Sequence, residues 1–262
     1  MLTVEPIAGL GNRMRVVGSA LAVARAAGVP LRIVWTRTSD LHCRFDALFE
    51  PLPGVRVVER SWNRLRIARN FELCLGRYDC ALYQPDVEHL MAEGADFPAL
   101  VRKDRLLVVT CSRFFDAPGL LAPLVPVSGI RCEVDAFAGR FEGCETGIHI
   151  RRTDHAFRHR SPTAMFLDRM RAEIAADPAT RFFVATDDPA EEACMREAFG
   201  NRVLTRPKRL ERARPEGMRD ALIDLLCLAR TRRVIGSVYS SFSEAAAEIG
   251  GVELVAIDCE DS

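Results

Sequence analysis

Four short stretches of this sequence gather arginine, histidine, carboxylate, hydroxyl and glycine residues at spacings that chemistry can use. In "GIHIRRTDH" (147–155), alternation along a strand sends His149 and Arg151 to one face and Arg152 to the other. Arginines at the end of a buried strand are costly unless an anion meets them or acids such as Asp154 pair with them at the surface. In "VATDDP" (184–189), Asp187 and Asp188 either favour the positive end of the following helix or accept hydrogen bonds from a ligand's hydroxyls or ring edge. In "IGSVYSSFSEAAAEIG" (235–250), Ser240, Ser241 and Ser243 stand where a strand gives way to a helix. Capping is the commoner use of such serines, and phosphate binding is the other. "GLGNRMR" (9–15) offers Gly11, Asn12 and Arg13 as either an ordinary strand-to-helix turn or an anion-binding loop. It lacks the third glycine of a dinucleotide fingerprint and the GK[ST] ending of a Walker loop. No G-x-S-x-G elbow is present in the serine segment, which argues against a serine hydrolase.

These residues need a scaffold, and the second half of the chain supplies a legible one. Strand-like runs at 146–152, 181–188, 202–206, 233–238 and 252–257 alternate with helical patterns at 163–176, 189–199, 217–231 and 240–250. Strand, helix, strand with short connections means a parallel sheet covered on both faces. The first half begins likewise, with strands at 2–7 and 31–36 around a helix over 12–28 and further strands at 55–59 and 105–115. The proline-rich stretch 117–129 reads as a linker. The expected fold class is therefore α/β: two Rossmann-like lobes with parallel sheets and a ligand cleft between them, residues 1–122 and 123–262.

Composition narrows the function. Hydrophobic residues make up 48% of the 262-residue chain and charged residues 27%, the balance of an ordinary globular protein. The 36 basic and 36 acidic residues cancel, which argues against a general nucleic-acid partner. All but two of the basic residues are arginines, the lysines being Lys103 and Lys208, so arginine placement carries information and arginine number does not. Nine cysteines without a CxxC pair or zinc spacing suit a reducing compartment. The start lacks the pattern of a signal peptide, and no run approaches about 18 apolar residues. The expectation is a cytoplasmic protein with no transmembrane segment and no metal.

In this order, the four segments resemble those of the GDP-fucose-dependent fucosyltransferases of the α1,6-, nodulation and protein O-fucosyltransferase superfamily. "HIRRTD" (149–154) is similar to their H-x-R-R-x-D segment, "ATDDP" (185–189) to their acidic segment, "DLLCLARTRRVIGSVYSS" (224–241) to the third, and "GLGNR" to their glycine-asparagine loop. Residues 31–145 carry no clear resemblance. The resemblance implies a GT-B architecture and inverting, metal-independent transfer of fucose or a related deoxysugar from a GDP-sugar to a glycan hydroxyl, with no cofactor beyond the donor. It implies that Arg151 and Arg152 meet the diphosphate, that His149 meets the nucleoside or diphosphate, and that Asp154 orients their loop. Asp187 and Asp188 would lie beside ribose or base, and Asp224 would read guanine. Ser240 and Ser241 would bind phosphate, with Gly11, Asn12 and Arg13 closing over the diphosphate or acceptor. Fixed arginines and backbone N–H groups at a helix start suit a leaving diphosphate, because they stabilise charge as it develops.

The family's α1,6-type members carry a glutamate shortly after H-x-R-R-x-D, and 155–163 contains none. His159 or His155 can serve as base, since imidazole titrates near neutral pH; Asp154, Asp40 and Asp46 are the other candidates. The short chain suggests a small or bacterial glycan acceptor. Another nucleotide-sugar donor, or a nucleotide-binding module without activity, stays open as an alternative. An NAD-dependent oxidoreductase suits the fold class but not the glycine spacing.

Overall fold

The computed structural model describes residues 1–61, 72–73, 75–153, 156–211 and 213–261. Two compact units divide the chain: Met1–Val127 with Glu211–Arg219, and Ser128–Leu210 with Asp220–Ser262. The division falls after Val127 where the sequence suggested 122.

The first unit is built on a parallel sheet of β1 (Leu2–Pro6), β2 (Leu31–Arg37), β3 (Val55–Ser61), β4 (Cys80–Leu82) and β5 (Leu106–Thr110), in the order β3-β2-β1-β5-β4. Every residue of β1 and β5 is buried, as expected of parallel strands covered on both faces. Helices α1 (Leu10–Ala27), α2 (Gln84–Ala92) and α3 (Phe97–Lys103) belong to this unit. The stretch read as a linker packs instead. Leu120, Leu121 and Leu124 are buried, and a Cβ at Gly18 of α1 would stand 2.7 Å from the Leu120 carbonyl oxygen. Glycine is what allows the two backbones to approach.

The second unit contains α4 (Ser128–Ala138), β6 (Glu145–Ile150), α5 (Thr163–Ala176), β7 (Arg181–Thr186), α6 (Pro189–Phe199), β8 (Val203–Leu204), β9 (Arg233–Ser237), α8 (Ser241–Gly250) and β10 (Glu253–Ile257). Helix α7 (Pro215–Leu228) begins among residues of the first unit and runs into the second. The sheet order is β10-β9-β6-β7-β8, all parallel. Ile148, Val184, Phe166, Met170 and Met195 form its core, each contributing about 1.5–3 kcal/mol by leaving water.

This order fixes where a ligand belongs. From β6 the chain steps outward to β7 and β8 on one side, then returns to β9 and β10 on the other. Such a reversal opens a crevice beyond the carboxyl ends of the two strands at which it occurs, here β6 and β9.

Candidate functional site

At the carboxyl ends of β6, β7 and β9 the second unit brings together His149, Arg151, Arg152, Asp187, Ser240 and Ser241. His149 is buried in β6, its Nδ1 2.7 Å from Ser243 Oγ and 3.5 Å from Ser240 Oγ, with its ring stacked on Phe242 at 4.5 Å. Gly236 makes the arrangement feasible, because a Cβ there would overlap Ser243 Oγ. Ser240 occupies the N-cap position of α8, and its hydroxyl makes no capping bond. Ser241 is the first helical residue, so the site includes open helix N–H groups of the kind that bind anions.

The loop after β6 is tied down from both neighbouring strands. The Arg151 backbone N–H donates to Ser237 Oγ at 3.0 Å and the Arg152 N–H to Asp187 Oδ1 at 2.8 Å. Thr153 Oγ1 donates to Asp187 Oδ2 at 2.7 Å, and Arg151 Nε lies 3.4 Å from the same oxygen. Burial alone would raise the pKa of Asp187. The hydrogen bonds from Thr153 and the Arg152 backbone, with the charge of Arg151, outweigh it and hold the carboxyl below its ordinary range.

Arg152 turns the other way, as strand alternation requires. It donates to Glu191 Oε1 at 2.5 Å, to the Ser161 carbonyl at 2.9 Å and to Thr163 Oγ1 at 3.2 Å. A guanidinium engaged in this way holds the loop together. Glu191, Thr163, Ser161 and Ser237 escaped the sequence reading. The acid three residues past Asp188 was the one visible signal.

Asp188 caps α6, accepting from the Ala190 N–H at 2.8 Å. Asp224 is 3% exposed, and both its oxygens are occupied: Lys208 Nζ donates to Oδ2 at 2.8 Å and Arg206 Nε to Oδ1 at 3.4 Å. Burial pushes its carboxyl pKa up while the two cations pull it back. The Asp224 carboxylate thus carries one cationic donor on each oxygen. Asp154 and His155 lie outside the described residues. His159 is exposed on the turn Arg158–Arg160, and beside it Phe157 packs edge to face on Tyr239 at 5.1 Å. Tyr239, in the loop between β9 and α8, adopts φ +54° and is 60% exposed, a strained conformation of the kind that collects at ligand sites.

In the first unit, Gly11 and Asn12 form the opening turn of α1. Arg13 is fully buried. It donates to the carbonyls of Ala8 (2.8 Å) and Thr36 (2.6 Å) and to Thr38 Oγ1 (3.1 Å), and it stacks on Trp35 at 5.0 Å. Burial draws its pKa down to about 10 despite Asp40, Glu5 and Glu59 nearby. Arg13 therefore braces the ends of β1 and β2. A cavity of about 780 Å³ opens beside it, lined by Ala8, Arg37, Thr38, Asp40 and His42. Asp46 is held by Arg44 through two hydrogen bonds.

Among the described residues no group of three His, Cys, Asp or Glu side chains could hold a metal ion, and no helix is long and apolar enough to cross a membrane.

No family model matches the sequence, and no curated protein does. Solved structures do match. The chain is similar to NodZ α1,6-fucosyltransferase soaked with GDP-fucose, with a TM-score of 0.67 and 21% identity over 99% of this chain and 96% of that one. It is similar to a mutant of Arabidopsis thaliana FUT1 in complex with GDP, with a TM-score of 0.61 and 14% identity over 97% of this chain and 69% of that one. It is also similar to POFUT1 in complex with GDP, with a TM-score of 0.58 and 12% identity over 98% of each chain. At these identities the likeness establishes the fold: the two-sheet α/β architecture of the fucosyltransferases.

Proposed function

We propose that the protein is a glycosyltransferase that moves fucose, or a related deoxysugar, from GDP to a glycan hydroxyl, with inversion and without a required metal. The observation that carries this reading is the crevice between β6 and β9, where Arg151, its backbone N–H bonded to Ser237, follows β6, and Ser240 and Ser241 open α8 after β9, in a fold shared with enzymes crystallised with GDP or GDP-fucose.

When the glycosidic bond to the donor breaks, the departing diphosphate gains negative charge. Arg151, the N–H groups that open α8 and the two serine hydroxyls are fixed before the reaction, so they stabilise that charge without reorganising. His149, its ring oriented by Ser243 and Phe242, stands on the same face as Arg151. The acceptor hydroxyl needs a base, and His159 is the first candidate because its imidazole is exposed. Asp40, in the cavity of the first unit, is the second.

The test is a calorimetric titration with GDP, UDP, ADP and CDP, followed by release of fucose from GDP-fucose. Selective GDP binding that Arg151→Ala weakens at least about tenfold supports the reading; absence of GDP binding, or binding indifferent to Arg151→Ala, rejects it.

A further inference from the structure

The cavity of about 780 Å³ in the first unit opens where strands end. Ala8 lies just past β1, Arg37 ends β2 and Ser61 ends β3. Open α/β sheets place their ligands beyond such carboxyl ends. The rim is pinned before anything enters: Arg13, fully buried, ties the carbonyls of Ala8 and Thr36 to Thr38 Oγ1. Ala8 itself adopts φ +65°, a conformation that a residue with a Cβ holds at a cost and that collects at ligand sites.

Arg37 supplies the fixed positive charge of the lining. A guanidinium carries five donors, and among the described residues no acceptor meets that of Arg37. Its Nε is closed to solvent and unpaired, so the terminal nitrogens are the ones that a ligand can reach. They form a fork that a carboxylate fits. Glu59 of β3 does not fill this role: its carboxyl accepts from the Phe45 N–H at 2.6 Å and leaves Oε2 buried without a partner. Asp40 adds one negative charge to the lining, and Thr38, Ser39 and Ser61 add hydroxyls. One cation beside one carboxylate favours a monoanion, because Asp40 repels a second negative charge. The hydroxyls and Asp40 suit a polyol, whose own hydroxyls both donate and accept. The volume is that of a small-molecule site and exceeds what a lone ion fills.

We propose that this cavity binds a sugar that carries a carboxylate, a uronic acid, with the carboxylate on Arg37 and the ring hydroxyls on Asp40 and the neighbouring serine and threonine hydroxyls. That this sugar is the acceptor rests on the glycosyltransferase reading above; its binding does not. Arg37 is then a specificity-determining residue that selects an acidic glycan over a neutral one.

NMR titration of the intact protein with methyl glucuronoside, methyl glucoside and glucose 6-phosphate, each with and without GDP, separates the outcomes. Methyl glucuronoside is expected to bind about tenfold or more tightly than either of the others. Arg37→Gln, checked for folding by circular dichroism, is expected to erase that preference, and Arg37→Lys to retain part of it. Equal binding of glucuronoside and glucoside, tighter binding of the phosphate, or binding of none of the three would overturn the proposal. GDP titrated alone tests the donor reading separately: glucuronoside binding without GDP binding would support the acidic-sugar site and overturn the GDP-sugar reading. The wild-type preference decides the matter even if neither variant folds.

Discussion

Ser243 Oγ lies 2.7 Å from His149 Nδ1, on the far side of the imidazole from any ligand that would meet Nε2. The serine is 1% exposed and the histidine 4%, so neither can exchange this bond for water. The bond therefore fixes the ring's orientation. Ser243→Ala is expected to weaken GDP about threefold to tenfold, the worth of one net hydrogen bond. Calorimetry reads the affinity, and a melting temperature close to the wild type would place the effect at the ligand.

The two adjacent arginines should separate cleanly. Arg152→Ala leaves Glu191, 8% exposed, as an uncompensated buried carboxylate and is expected to cost about 3–5 kcal/mol of stability in a denaturant titration. Arg151→Ala is expected to cost less stability than Arg152→Ala by the same measurement, its contact with Asp187 being long and partly exposed, while reducing GDP affinity. If both variants lose stability equally, the division of labour is wrong.

Arg13→Ala removes three hydrogen bonds and the stacking on Trp35. The expected loss is about 2–4 kcal/mol, with GDP affinity of the folded protein unchanged. A variant that melts like the wild type but no longer binds GDP would return Arg13 to the ligand.

Glu72 gathers Arg32, Arg60, Arg77 and the hydroxyl of Tyr78 around one carboxylate. Burial would raise its pKa, but hydrogen bonds from Arg32 and Tyr78, with the charge of Arg60, bring it down from 4.5 to about 2. A carboxyl depressed on folding stabilises the folded state above its unfolded pKa, and that contribution is lost as pH falls through the window from 4.5 to about 2. Melting temperature followed from pH 7 down to about pH 2 should fall across this window. Glu72→Gln should flatten that fall and lower the plateau at neutral pH.

The sequence showed the second unit more clearly than the first for reasons that individual residues display. Helices α5 and α6 begin and end where the pattern put them, because Pro162 and Asp188 are local start signals for an amphipathic run. Strand β4 has three residues, too short for any period to register, and α2 and α3 have nine and seven. At the site, the residues beyond strand ends were visible because charge is conspicuous there. What each charge does was hidden, since Arg13 meets Thr36 and Thr38, Arg152 meets Glu191, and Lys208 meets Asp224 across gaps in sequence that only folding closes. Motif position identified the neighbourhood, and burial decided the role.

Ser161 is fully buried. Its hydroxyl donates to the Ile257 carbonyl at 2.6 Å and accepts from the Val238 N–H at 3.0 Å, while its own carbonyl accepts from Arg152. A residue with one small side chain thereby joins the loop after β6, the start of the loop after β9 and the end of β10. Native-state hydrogen exchange should register this as one cooperative opening, with the amides of Arg151, Arg152 and Val238 sharing a common protection factor. Under thermal stress the crevice would then be lost as a unit, as a keystone arch fails, while the strands beneath it still hold their deuterium-resistant core.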